Sequence, residues 1–179
     1  MFPKKVLLKD GSVLTIREAS VWDARKIVEY MKEVTSETDF LITRPDEVYD
    51  VSTERSYIKM YRDDPRKLML VGVIDKEIVS VLTFTGFGRK RTRHVGEFGI
   101  SVKRRYWGLG IGTAMISSAI EWAKRNGFKR IQLEVLRSNE RAISFYEKLG
   151  FKIEGVKRKA VQRDDGSYDD TLIMALFFD

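Results

Sequence analysis

The feature that most constrains the fold is a glycine-rich turn between a predicted strand and a predicted helix, within residues 97–126. Residues 97–102 favour a β-strand, and glycines follow at positions 108, 110 and 112. Side chains suited to one buried helix face then recur at helical spacing, at Ile111, Met115, Ser118, Ala119, Trp122 and Ala123. The first turn of a helix has unpaired N–H groups and positive potential, and glycines let the backbone approach a phosphate. We therefore predict that this turn binds a diphosphate.

The glycine spacing disfavours two common nucleotide-binding motifs. The phosphate-binding loop of nucleoside triphosphatases requires Gly-Lys-Ser/Thr, whereas Gly112 is followed by Thr113 and Ala114. The dinucleotide fingerprint requires G-x-G-x-x-G, but here the glycines alternate as G-x-G-x-G. Nucleoside triphosphates and NAD are both disfavoured, and glycine spacing alone does not identify the ligand.

A second motif lies about thirty residues downstream, and the two motifs together resemble the GNAT superfamily of acyl-CoA-dependent N-acetyltransferases. The fixed positions of its Asn-x-x-Ala-x-x-x-Tyr-x-x-x-Gly-Phe pattern are all matched, by Asn139, Ala142, Tyr146, Gly150 and Phe151. In the first motif Gly110 and Gly112 match, while Trp107 stands where the family usually has glutamine or arginine. The Tyr-Trp-Gly form of the turn and a C-terminal hairpin are most similar to the branch of ribosomal-protein and spermidine N-acetyltransferases.

The resemblance implies an α/β (α+β) fold and a single N-acetyltransferase domain over residues 1–179. The expected architecture is a mixed, mostly antiparallel central sheet of six to seven strands, with helices on both faces and a splayed pair of parallel strands. Acetyl-CoA is the expected co-substrate, without a metal. By the resemblance, its pantetheine arm and diphosphate would contact Ile100, Ser101, Val102, Trp107, Gly108, Leu109, Gly110, Ile111, Gly112, Thr113, Asn139 and Tyr146.

Two residues are candidates for catalysis. Tyr146 matches the tyrosine of the family motif and is the candidate acid toward the CoA sulfur, although its helical spacing alone suits a packed core residue. Glu97 is the candidate base or acceptor contact, because it begins the strand that would splay, where many relatives have a carboxylate facing the acceptor. An exposed strand glutamate is the equal alternative. Asn139 also has a simpler role, as the N-cap of the helix that carries Tyr146.

The remaining pattern predicts strands and helices in an order that suits a mixed sheet. Residues 13–19 alternate as a strand, Ser20 and Asp23 indicate a helix start, and residues 53–62 suit a second helix. Hairpins are predicted around residues 75–77 and 163–166, and residues 130–135 form another strand. Gly99 within a strand suggests a bulge or a close backbone approach, and Trp22 and Trp122 suit the core.

Composition removes several classes of function. The 179 residues include no cysteine and one histidine, which excludes thiolate chemistry and disfavours a histidine-based metal site. No apolar run approaches the roughly twenty residues that span a bilayer, and we expect a cytoplasmic protein without a membrane partner. The formal charge of +7 invites a nucleic-acid partner, but the basic residues are mixed with acids. We expect a solvated surface instead, with basic groups that attract CoA phosphates.

Two other functions and several details stay open from the sequence. The chain could be a catalytically silent acyl-CoA-binding regulator, or a basic nucleic-acid-binding module. A homodimer is compatible with the pattern. The acceptor, a small-molecule amine or a protein amine, depends on the loops at residues 36–50, 88–94 and 163–168, and loops are where relatives differ most.

Overall fold

The computed structural model describes every residue, Met1–Asp179, as one eight-stranded sheet with four α-helices. In chain order the strands are β1 Lys4–Leu7, β2 Val13–Glu18, β3 Lys67–Ile74, β4 Glu77–Gly86, β5 Val95–Val102, β6 Arg130–Leu136, β7 Lys152–Gln162 and β8 Tyr168–Phe177. The helices are α1 Ala24–Glu37, α2 Val51–Asp63, α3 Ile111–Arg125 and α4 Glu140–Lys148. None of the four helices is long and apolar enough to cross a bilayer.

The sheet order is β1-β2-β3-β4-β5-β6-β8-β7, and every neighbouring pair is antiparallel except β5 and β6. Alternate side chains of β3 enter different cores: Leu68 and Leu70 pack toward α3, whereas Met69 and Val71 pack toward α1 and α2. Helices therefore cover both faces of a mixed, mostly antiparallel sheet, which confirms the predicted fold class. The strands number eight rather than six to seven.

The additional strand, β1, was not predicted; a tight turn joins it to β2. Gly11 has a φ of +86°, and the Leu8 N–H donates to the Ser12 carbonyl at 2.9 Å. An Asp-Gly pair before an alternating strand is a recognised hairpin signal. β1 has only four residues, two of them lysines, so its sequence does not indicate a strand without the neighbouring β2.

The helix start predicted at Ser20 and Asp23 is confirmed. The Ser20 hydroxyl accepts a bond from the Trp22 N–H, and the Asp23 carboxylate accepts one from the Ser20 N–H, forming a capping box. At the end of α4, Gly150 has a φ of +96° and the Phe151 N–H donates to the Tyr146 carbonyl, so the helix ends in a Schellman motif. The buried Phe151 side chain fixes this end of α4 against the core.

Two expectations about the strand and the core are wrong. The ladder of β5 with β4 runs without a register shift, so Gly99 is not a bulge. The close approach occurs at Gly96, where an added Cβ would lie 2.0 Å from the Phe84 ring. Trp22 is 86% exposed, because it lies in the capping turn before α1 and points away from both cores; Trp122 does pack on Phe84.

Candidate active site

The site lies where the two parallel strands part. β5 and β6 pair only from Val95–Arg130 to Glu97–Gln132, after which each strand continues without the other. A cavity of about 1040 Å³ passes through this gap. One end, which we call the turn end, is lined by the turn at residues 106–113 and by α4; the other, the loop end, is lined by α1, residues 38–49 and α2.

The turn end presents a row of free backbone donors. None of the N–H groups from residue 108 to residue 113 donates to another group of the protein, and the first bond of α3 is from Ala114 to Gly110 at 3.1 Å. Gly108 and Gly110 adopt φ values of +80° and +96°, and a Cβ on either would meet no atom within 4 Å. An open backbone at a helix N-terminus fits a diphosphate group, as this part of the sequence predicts.

Trp107 connects this turn to the end of β5. Its indole N–H donates to the Val102 carbonyl at 2.8 Å, and its ring lies between the guanidinium groups of Arg104 and Arg141, at 5.5 and 4.4 Å. Where the family usually has a glutamine or arginine that can donate a hydrogen bond to an anion, Trp107 instead joins the turn to the end of β5. Arg141 and Lys9, which also line the turn end, supply positive charge there.

Beyond the last pair with β6, one edge of β5 is open. The Val95 carbonyl and the Lys103 N–H both bond toward β4, so by alternation the backbone groups of Phe98, Ile100 and Val102 face the gap. Ile100 and Val102 are among the residues predicted to contact the pantetheine arm and diphosphate. The Val102 carbonyl already accepts the Trp107 indole, which leaves its N–H as the free group.

Tyr146 lines the cavity beside this edge. Its ring packs against Phe98 and Phe151, with ring centroids 6.1 Å apart in each case, and its hydroxyl has no hydrogen-bond partner in the protein. Burial raises the pKa of Tyr146 to about 12. The phenol therefore keeps its proton at neutral pH and can donate a hydrogen bond.

Most of the other predicted site residues also line the cavity. Asn139 does so while its side chain caps α4 through a 3.2 Å bond from the Ala142 N–H. Ser101 also lines the cavity, but its side chain lies on the face of the sheet that α1 covers, where its hydroxyl bonds Tyr30 at 2.9 Å. The cavity also contacts Ile111, Gly112 and Thr113.

Two predicted residues do not reach the cavity. The Glu97 carboxylate accepts a 2.7 Å hydrogen bond from the Gln132 amide, and Glu97 is not part of the lining. Leu109 is likewise outside the lining, and its carbonyl accepts a bond from the Lys9 N–H at 3.3 Å. The catalytic role predicted for Glu97 remains a prediction, and the structure places its carboxylate beside β6 rather than in the cavity.

Sequence reasoning missed Glu54, an acid of α2 that lines the loop end. Only 4% of Glu54 is exposed, and no side chain or backbone group donates to its carboxylate. Burial alone raises the pKa of this carboxyl to about 7. In the sequence it is one more glutamate in a charged helix, and no local signal distinguishes it. No group of three histidine, cysteine, aspartate or glutamate side chains is arranged to hold a metal.

Two curated relatives are similar over part of the chain. The L-amino acid N-acetyltransferase AaaT of Escherichia coli is 38% identical over 117 residues, 63% of this chain and 70% of that protein. The ribosomal protein bS18-alanine N-acetyltransferase of Escherichia coli is 37% identical over 79 residues, 44% of this chain. This second match spans 53% of that enzyme, about half its length.

Two solved structures share the fold over nearly the whole chain. A GNAT-family acetyltransferase from Streptococcus pneumoniae is 30% identical with a TM-score of 0.88, covering 92% of this chain and 99% of that one. The Salmonella typhimurium protein yncA, solved with its cofactor acetyl-CoA, has a TM-score of 0.82 at 20% identity, covering 93% and 94%. The sequence model of the acetyltransferase (GNAT) family matches residues 29–151. The parted strands, the amide-rich turn and these similarities lead to one conclusion: the chain is an enzyme of the GNAT acetyltransferase family.

Proposed function

We propose that this enzyme transfers the acetyl group of acetyl-CoA to a primary amine, by direct attack of the amine within a ternary complex. The observation that carries the proposal is the row of unpaired N–H groups at residues 108–113, next to the open edge of β5. The N–H groups can hold the diphosphate of CoA, and the open edge of β5 can pair with the amides of its pantetheine arm. The thioester would then lie in the gap between β5 and β6, between the two ends of the cavity.

Direct attack follows from the residues available. The chain has no cysteine, so an acetyl-cysteine intermediate is excluded. An alkyl amine with a pKa near 10.4 is neutral in only about one molecule in a few thousand at pH 7, so the ammonium group must first lose a proton. The neutral nitrogen then adds to the thioester carbon, the C–S bond breaks, and the nitrogen releases its second proton as the amide forms.

Tyr146 is proposed to stabilise the departing thiolate. A thiol has a pKa of about 8.5, well below that of Tyr146, so net proton transfer from this phenol to the thiolate is uphill. A hydrogen bond from the hydroxyl stabilises the thiolate without that transfer, and the thiolate takes its proton from solvent after release. Tyr146 thus acts as a donor to developing charge.

The test is a calorimetric titration with acetyl-CoA and with free CoA, followed by a thiol-release assay against a panel of amines. The proposal expects both ligands to bind and thiol release to depend on an amine. Binding without thiol release for any amine would indicate the silent acyl-CoA-binding regulator instead. Absence of binding at millimolar concentrations of either ligand would overturn the proposal.

A further inference from the structure

The buried carboxylate of Glu54 is the one acid of the loop end without a partner. Glu37 accepts a 2.9 Å hydrogen bond from the Arg104 N–H, and Glu47 accepts one at 2.9 Å from the Arg44 N–H. The neighbouring phenol of Tyr57 donates to Tyr61 rather than to Glu54. A carboxyl group that is almost fully buried and unpaired is costly in a folded protein unless a ligand completes it.

The surroundings of Glu54 are apolar and aromatic. Tyr49 and Tyr57 pack edge to face with ring centroids 5.6 Å apart, and Phe40, Leu41 and Met31 complete this part of the lining. Such walls suit the hydrocarbon or aromatic body of a ligand, and phenol rings also attract a cation.

The distribution of charge in the cavity is one-sided. At the loop end the ionisable lining residues are Glu37, Glu47, Tyr49, Glu54 and Tyr57. The other acid of the lining, Glu134 of β6, is paired with Lys157. The basic lining residues, Lys9 and Arg141, both belong to the turn end, beside Trp107 and Leu109. The loop end can therefore neutralise an ammonium group, but it offers no arginine or lysine for a ligand carboxylate.

We propose that Glu54 binds the ammonium group of the acceptor, and that the acceptor is an apolar primary amine without a carboxylate, of the arylalkylamine type. This inference rests on the proposed function and names the substrate class for the same site. It separates this chain from its relative named for L-amino acids, since an amino acid would bring an unpaired carboxylate into an acidic end of the cavity.

The same carboxylate suits the first proton transfer. Ammonium binding places a proton donor against Glu54, and the proton passes from nitrogen to a carboxylate oxygen, leaving a neutral amine and a neutral acid. The raised pKa of Glu54 brings it closer to that of the amine than an ordinary carboxyl would be. Glu54 then returns the proton to solvent as the product leaves, so no other reactant is required.

The test uses two amines that differ only in the carboxylate, phenethylamine and L-phenylalanine, with acetyl-CoA at saturation. We expect kcat/KM for phenethylamine to exceed that for L-phenylalanine by at least about 100-fold, because the carboxylate of L-phenylalanine would be buried without a partner. Glu54→Gln should lower kcat/KM for phenethylamine by about 100-fold and leave acetyl-CoA affinity unchanged. Glu29→Gln, at an exposed glutamate of α1, should change neither.

Several outcomes would overturn the inference while the proposed function stands. They are equal or better use of L-phenylalanine, transfer only to other carboxylate-bearing amines or peptides, and a Glu54→Gln enzyme with unchanged kinetics. A loss of phenethylamine turnover in Glu97→Gln but not in Glu54→Gln would move the role to Glu97. Calorimetry of phenethylamine with the CoA-bound enzyme tests binding independently of turnover. The affinity for phenethylamine should be weaker in Glu54→Gln than in the wild type. Failure of acetyl-CoA to bind would instead overturn the proposed function itself.

Discussion

The two ends of the cavity are built by opposite means. At the turn end, backbone N–H groups and the positive potential of α3 face the cavity, and the side chains there mainly hold the turn in place. At the loop end, side chains form the surface, and its one unpaired acid is Glu54. A backbone site tolerates many sequences as long as its geometry is kept, whereas a side-chain site changes with each substitution. Under the proposed function, donor binding and acceptor choice would therefore vary independently in this chain.

The largest expected effect tests the backbone character of the turn end. Valine at position 110 cannot easily adopt the φ of +96°, and its side chain would occupy the open space before the N–H row. We expect Gly110→Val to weaken acetyl-CoA binding by about 10³-fold, equivalent to losing two charge-assisted hydrogen bonds. Titration calorimetry measures this change.

Gly127→Val provides the matched control at the other end of α3. Gly127 has a φ of +79° and equally open space, so the strain is similar, but the residue is remote from the cavity. Both variants should lose stability, and only Gly110→Val should lose affinity. Equal affinities in the two variants would contradict a backbone site for the diphosphate.

A second substitution tests the buried phenol beside the open edge of β5. Tyr146→Phe keeps the packing against Phe98 and Phe151 and removes only the hydroxyl donor. We expect kcat to fall by about 10²-fold with acetyl-CoA affinity nearly unchanged, because the bond forms to the departing thiolate. Steady-state kinetics and calorimetry separate the two quantities, with the exposed Tyr168→Phe as the control. A fall in affinity that matches the fall in kcat would assign Tyr146 to binding alone.

A third prediction tests the isolation of Glu54 through stability. Its pKa is raised from 4.5 to about 7 on folding, so the folded chain holds this proton more tightly than the unfolded chain. The contribution to stability therefore decreases as pH rises through this window. Glu54→Gln lacks the charge, and its free energy of unfolding should gain about 2 kcal/mol over the wild type between pH 5 and pH 8. Denaturant melts at the two pH values measure this gain; a constant difference would show that the carboxylate is partnered.

The smallest expected effect concerns the outer rim of the loop end. Arg44, between α1 and α2, bonds Asp164 of the β7–β8 hairpin at 2.6 Å, and both side chains are exposed. Asp164→Asn should change the free energy of unfolding by less than about 0.5 kcal/mol, as exposed ion pairs generally do. Thermal melts at low and high salt test this. A loss of several kcal/mol would show that the rim is a structural part of the fold.

The turn end could be predicted from the sequence because its determinants are local. The strand, the glycines, Asn139 and Tyr146 lie within two short motifs, and each acts where it stands in the chain. The loop end could not be predicted, because the burial of Glu54 depends on the tertiary packing of α2 beside α1. The placement of the Glu97 side chain could not be predicted for the same reason. Its position at the start of a strand is visible in the sequence, but its bond to Gln132 depends on the parallel pairing of β5 with β6.

The indole of Trp107 affects the distance between the start of α3 and the point where β5 and β6 separate. Its bond to the Val102 carbonyl ties the turn to the end of β5 and so helps to fix how far the start of α3 stands from the point where the strands separate. Under the proposed function, this distance would limit how far the carbonyl of a carrier anchored by its diphosphate reaches into the gap. The enzyme would thus select thioesters by the length of their carrier arm, because a longer or truncated arm would place the thioester carbon away from the amine.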